Sequence, residues 1–397
     1  MRKTFLSFAI IFLLLLSVQM AGAVTFGPAS GIEHRSKSVS PPAALIDDSG
    51  RIYLSWIEEE KDVNSIYIAS SDDGGKTFSA EIKINGADDE PASIHQSPSI
   101  ALGKKGEIYL LWAGKVQGGG FNADLRFSRS VDGGRSFTPS VKVNDNKNGS
   151  VGFESISVAP DGTIFIAWLD GRDRVTGGGS GTYFTASRDG GKSFEKNLRI
   201  DPNSCPCCRT AVNVAPDGTV YVSWRKIYDN NIREIVLSGS TDNGRSFTRP
   251  VIVGEDKWEI PGCPHRGPFV GVKDNSNVFV FWYAEAEGDP KIFLAESKDR
   301  GETFTKEAVA HKKGFPDNPV LFVDGDKIFL SWQETTPVLS NIIFESRNNG
   351  EVKREQLNQD TRKAANPVIS VNKKGEVIIA WLKMEIKTAR AVVRVGR

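Results

Sequence analysis

The sequence predicts an all-β propeller of four-stranded antiparallel blades. Three observations carry this. A short apolar strand ending in tryptophan recurs seven times, with its indoles at Trp56, Trp112, Trp168, Trp224, Trp282, Trp332 and Trp381. The spacing of 49 to 58 residues is that of a propeller or solenoid unit. Each period holds four short strand signals separated by turn signals, the content of one blade.

The first element precedes the repeats. Arg2 and Lys3 lead into an uncharged apolar run, Phe5 to Val18, and then Ala21-Gly22-Ala23. This pattern predicts a secretory signal peptide over 1–23, cleaved after Ala23. The run is shorter than the roughly 20 residues a spanning helix needs. The expected mature chain, 24–397, is then one propeller domain, exported to the periplasm or beyond, monomeric and without a membrane span. Without Arg2 and Lys3, 48 basic residues face 49 acidic ones. Such a balance excludes a nucleic-acid binder, which needs a basic surplus.

Within a unit the inner strand often follows proline: Pro98, Pro268, Pro319, Pro367. An Asp-Gly turn follows, as at Asp161-Gly162 and Asp217-Gly218, where glycine takes the positive φ of a tight hairpin. The tryptophan strand is next, then a variable polar loop and a third strand such as Ser65–Ala69 or Lys291–Ala295. The second turn reads Ser-x-Asp-x-Gly-x-(Ser/Thr)-Phe, at Ser71/Asp73/Gly75/Phe78, Ser130/Asp132/Gly134/Phe137, Ser187/Asp189/Gly191/Phe194, Ser240/Asp242/Gly244/Phe247 and Ser297/Asp299/Gly301/Phe304. Serine and aspartate accept backbone N–H groups within the turn. The phenylalanine buries apolar area worth roughly 1.5–3 kcal/mol. A sixth copy, Ser346/Asn348/Gly350, has lost both aspartate and aromatic.

These turns resemble the Asp-boxes, or BNR repeats, of the sialidase-like propellers, and the resemblance covers nearly all of 24–397. It implies that the boxes are structural and lie on the face away from the active site. Sialidases have six blades. Seven tryptophan strands predict seven here, with six as the alternative. The last unit stops at its third strand, Arg390–Val395, and Val24–Ile32 resembles the fourth strands of other units. The N-terminal strand is therefore expected to complete the last blade and hide both edges.

The loops after tryptophan and the links between blades share the other face and carry the candidate site residues. The sialidase resemblance implies an arginine clamp for a carboxylate, a tyrosine nucleophile paired with a glutamate, and a general acid. Matching residue types are Arg209, Arg225 and Arg266 for the clamp, Tyr283 with Glu285, and Asp170. Arg172 and Arg233 lie in the same loops and extend the candidate ligand-binding set. The family's Arg-Ile-Pro motif has no counterpart, since that stretch reads Ser38-Val39-Ser40-Pro41-Pro42.

All four cysteines fall in two segments, Cys205-Pro206-Cys207-Cys208-Arg209 and Cys263-Pro264-His265-Arg266. The cluster resembles that of a Cys-rich bacterial subgroup of the same family. Cys207, His265 and His95 each lie 17 residues before their own tryptophan, at matching positions where inner strands begin. Three readings stand: a disulfide from Cys263 to the first segment; a copper or zinc site made by Cys205, Cys207, Cys208, Cys263 and His265; or free thiols. His34 is expected on the surface, and Trp258 over the cysteine cluster. The leading functional expectation is recognition of a small-molecule, glycan or protein ligand on the loop face near blades four and five. The alternatives are a glycoside hydrolase acting on an anionic sugar, a metal or redox module, and a scaffold for partner proteins.

Overall fold

The computed structural model describes residues 24–397 apart from 117–121, 148–149, 177–178, 312–313 and 360–362. The expected signal peptide, 1–23, lies outside the described residues. No helix among the described residues is long and apolar enough to cross a membrane.

The fold is all-β. Five separate sheets have four strands each, and a sixth sheet has nine. The nine-stranded sheet holds two meanders bridged at Ser204↔Lys226. In every meander the tryptophan strand lies second from the inside. These strands are buried on both faces, as Ile164–Asp170 is along its whole length. A strand sandwiched between neighbouring sheets has no solvent face, which is why its sequence is a continuous apolar run rather than an alternation.

The inner strands neighbour one another in a closed cycle: Ala43–Ile46, Ser99–Leu102, Val151–Val158, Ala211–Val214, Phe269–Val272, Pro316–Asp324, Ala364–Val371, then Ala43–Ile46 again. The Ile46 N–H donates to Ser370 Oγ at 3.1 Å across the join. The last meander is completed by Ser30–Glu33, which pairs with Ala389–Gly396 from Ser30↔Val393 to Glu33↔Arg390. The N-terminal strand thus closes the sheet as its sequence suggested.

The serine–aspartate hairpins are built alike. Ser71 Oγ accepts from the Gly75 N–H at 2.9 Å and donates to Asp73 Oδ1 at 2.8 Å. Asp73 accepts the Thr77 N–H at 3.0 Å and the Thr77 hydroxyl at 2.7 Å. These bonds, from Thr77 above all, hold the Asp73 carboxyl down at about 2. The aspartates are consumed by their own turns. Each glycine also abuts the preceding meander: a Cβ at Gly134 would sit 3.0 Å from Tyr53, at Gly191 2.2 Å from Phe127, at Gly244 2.6 Å from Phe184, and at Gly301 2.6 Å from Leu237. The hairpins therefore latch each sheet onto its predecessor.

The degenerate sixth copy makes a different structure. Its strands pair straight through Asn348↔Glu351, and nothing lies within 4 Å of a Cβ built on Gly350. This meander is tied instead by a buried carboxylate. Glu345, with no exposed surface, accepts from Arg347 Nε at 2.6 Å and Arg354 Nε at 2.7 Å. Arg354 also stacks over Trp332 at 4.9 Å.

His34 is buried, contrary to the surface position expected from its polar neighbours. Its ring packs 5.1 Å from Trp56, and neither ring nitrogen has a protein partner among the described residues. Burial, then the charge of Arg35, lowers its pKa to about 4 from 6.5. The folded state resists charging this imidazole, so its contribution is complete above pH 6.5 and is lost as pH falls from 6.5 towards 4. The size is about 3 kcal/mol, from ~1.4 kcal/mol per pH unit. Thermal unfolding followed between pH 7 and 4 is expected to weaken over that window, and His34→Phe is expected to flatten the curve there. An unchanged slope in the variant would refute this.

Candidate functional site

The starts of the inner strands converge on a central cavity of about 760 Å³. Its polar lining comes from the residues just before, or at, the inner-strand prolines. His95, Gln96 and Ser97 precede Pro98, and His265 and Arg266 precede Gly267-Pro268. Asn318 precedes Pro319, Asn366 precedes Pro367, and Arg209 heads the strand Ala211–Val214. These lead-ins are kinked rather than extended: Asn318 and Asn366 take φ of 48° and 54° at register shifts just before their prolines, and His265 takes 56°, a left-handed conformation that asparagine and histidine enter more readily than most residues. Gly267 has a packing role. A Cβ there would sit 1.9 Å from the Arg209 carbonyl oxygen, so only glycine lets the two arginine-bearing lead-ins close up. No carboxylate and no tyrosine lines the cavity among the described residues.

The candidate arginines separate into three groups. Arg209 and Arg266 line the cavity. Arg209 donates to the Ser97 carbonyl at 3.1 Å, while Arg266 pairs side-on with Asp317 through Nε and Nη2 and donates its Nη1 to the Pro264 carbonyl. Arg225 is buried beneath. It donates to the Tyr283 carbonyl at 2.6 Å and the Arg266 carbonyl at 3.3 Å and stacks over Trp258 at 4.9 Å. It therefore cannot join a clamp at the cavity. Arg233 is also buried and faces the thiols. Arg172 bonds Asp145, Asp170 and Asn197, outside the cavity lining. The predicted clamp thus contributes two members to the cavity. Arg35, upstream, is taken up by Glu58, Glu60 and Glu81.

Asp170 has no exposed surface and accepts the Trp168 indole N–H at 3.1 Å and the Arg172 backbone N–H at 2.8 Å. Asp256 and Glu334 do the same for the indoles of Trp282 and Trp332. Asp170 is thus placed as an indole anchor rather than as an acid facing a substrate. Tyr283 does donate to Glu285, at 2.9 Å. It is buried, however, and burial, then the Glu285 bond, raises its pKa, the opposite of an activated nucleophile. Neither residue lines the cavity. Glu154, which the sequence did not single out, is a buried carboxyl behind Phe153 and Ser155 whose pKa is raised by burial. Trp258 packs on Arg225 and, edge-on at 5.8 Å, on Tyr283.

The cysteine segment is strapped at both ends. The Cys205 N–H donates to the Arg225 carbonyl at 2.8 Å, and the Thr210 N–H to the Phe153 carbonyl at 3.0 Å. The tight turn between them turns three thiols inward. Cys205 Sγ lies 3.8 Å from Cys207 Sγ and 3.3 Å from Cys208 Sγ, all three are buried, and all three sulfurs fall within 4.8 Å of one another. Arg233 Nη1 donates to Cys205 Sγ at 3.0 Å. Thiol hydrogen bonds from Cys207 and Cys208 hold the Cys205 pKa down, and burial pushes Cys208 up to about 11. Cys263 is exposed and shares a cleft with Cys207. All four cysteines are free thiols in this structure. His265 belongs to the cavity, 6.4 Å from the Phe153 ring, and not to the thiol group.

No family model matches the chain, and no curated protein sequence does. Solved structures do. A sialidase, Hadza microbial sialidase Hz136, is 14% identical, with a TM-score of 0.54 over 88% of this chain and 74% of its own. The polysaccharide lyase Uly1 is 10% identical, with a TM-score of 0.58 over 94% and 90%. A protein of unknown function from Dyadobacter fermentans is 15% identical, with a TM-score of 0.53 over 94% and 99%. At these identities the likeness concerns the fold, which is that of the sialidase-like propellers.

Proposed function

We propose that the chain is an exported Asp-box propeller that binds a small acidic saccharide, or the acidic end of a glycan, in its central cavity. One observation carries this: the Arg209 guanidinium, two imidazoles and three side-chain amides line a cavity whose described lining has no carboxylate, with Arg266, its fork held by Asp317, beside them. Guanidinium forks match carboxylate and sulfate oxygens. The volume suits a ligand of one or a few sugar units. Similarity of fold to a sialidase and a polysaccharide lyase supports a carbohydrate as the ligand. Binding is favoured over hydrolysis, because glycoside cleavage generally needs a pair of carboxyl groups or an activated tyrosine beside the bond, and among the described residues the lining presents neither.

The test is calorimetric titration with N-acetylneuraminic acid and oligoglucuronate, against neutral sugars of equal size. The acidic ligands are expected to bind and the neutral ones not. Arg209→Ala is expected to weaken binding about tenfold or more, the worth of a charge-assisted pair, and Arg209→Lys to restore part of it. Equal binding of neutral and acidic sugars would remove the proposal. Release of 4-methylumbelliferone from an acidic glycoside would replace it with the hydrolase reading.

A further inference from the structure

Beside the cavity, but separate from it, lies an assembly that saccharide binding does not use. Three buried thiols converge within 4.8 Å on a tight turn. Two guanidiniums stand against them. Arg233 donates to Cys205 Sγ at 3.0 Å, and Arg225 lies beside Cys208. Both arginines are almost wholly buried, at 6% and 1% exposure, and among the described residues neither meets a carboxylate. Arg233 Nε and Arg225 Nη1 have no acceptor among the described residues either. Buried charges are ordinarily paired, so two such cations beside three neutral thiols are out of balance. Three thiolates and one monovalent cation would restore neutrality: three negative charges against two guanidiniums and the ion.

We infer that Cys205, Cys207 and Cys208 form a three-coordinate thiolate site for Cu(I), with Cys263 as the solvent-side thiol through which the ion enters. Soft sulfur donors select soft ions. Metal–sulfur bonds of about 2.3 Å in trigonal or tetrahedral array place sulfurs ~3.8–4 Å apart. The Cys205–Cys207 pair, at 3.8 Å, is close to the trigonal spacing of about 4 Å, and the Cys205–Cys208 pair, at 3.3 Å, has to open by about 0.7 Å to reach it. Zinc in a closed site takes four ligands, and the described cluster offers three. Cys263 stands outside the buried trio, exposed, on the cleft it shares with Cys207. That is the position of a relay rather than a permanent ligand. On binding, the thiol protons leave to solvent.

The test uses the reduced protein, 24–397, titrated anaerobically with Cu(I) held by a chromogenic chelator. One copper per chain is expected, with X-ray absorption showing sulfur-only, three-coordinate copper. Cys208→Ser is expected to abolish this binding. Cys263→Ser is expected to keep the one-copper stoichiometry while slowing uptake from the chelator at least tenfold. Because Cys208→Ser could also disturb packing, the wild-type stoichiometry and coordination number decide independently of it. Three results would each overturn the assignment: no copper bound by fully reduced protein, tight binding of one zinc through four thiols in place of copper, or loss of the copper in Cys263→Ser. None of them bears on saccharide binding, which Arg209 tests separately.

Discussion

Replacing Gly191 by alanine is expected to destabilise the propeller by roughly 2–5 kcal/mol, combining about 1–2 for a left-handed non-glycine residue with about 1–3 for overpacking. Gly191 has φ of 81°, and an added Cβ would lie 2.2 Å from Phe127 Cε1. Phe127 is itself buried in the preceding meander, where it packs against Tyr109, and across the seam it meets Phe194 of the Gly191 hairpin. The ring cannot swing away without opening the seam between two sheets. Gly350 is the internal control. Its φ of 84° is nearly the same, yet open space surrounds it, so Gly350→Ala is expected to cost only about 1–2 kcal/mol. Thermal unfolding of the two variants separates the contributions. Equal losses would mean that the hairpin glycines serve turn geometry alone and do not join sheets.

Glu345→Ala is expected to cost about 2–3 kcal/mol. Removing one member of a buried ion pair costs about 3–5 kcal/mol. Here Arg347 and Arg354 are partly exposed, at 19% and 46%, so water takes over part of their solvation. The reverse deletion is informative. Arg354→Ala leaves Glu345 still paired with Arg347 and is expected to cost about 1 kcal/mol, in the range of exposed pairs. Should the arginine variant prove as damaging as the glutamate variant, packing of Arg354 on Trp332 would be the dominant interaction.

Most of the architecture was legible in the sequence because propeller repeats write the same physics many times. Seven indoles at one register position mark the second strand, and five Ser-Asp-Gly-Phe turns mark the outer hairpin. The similarity of Val24–Ile32 to other fourth strands located the closing segment. The site was legible only in part. His95 and His265 were reached by their register where the inner strands begin, and Arg209 and Arg266 through the sialidase resemblance. Gln96, Asn318 and Asn366 sit there too and carried a usable signal, their place one or two residues before an inner-strand proline. Arg225 and Asp170 were misleading for the opposite reason. Both follow a tryptophan directly or at one remove, where the strand is still buried, so one bonds backbone carbonyls and the other an indole. Sequence position cannot distinguish a charged side chain reaching solvent from one satisfying a neighbouring sheet. His34 shows the same ambiguity in reverse, with polar neighbours in sequence and an aromatic one in space.

The pairing of Ser30 with Val393 has a kinetic meaning. It joins residues about as far apart along the polypeptide as any in the described structure, so the loop-closure entropy it must overcome is near the maximum for the molecule. Contacts of such separation form late. The circle is therefore expected to be fastened last, from a nearly finished crescent, and that seam is where hydrogen exchange should first report opening.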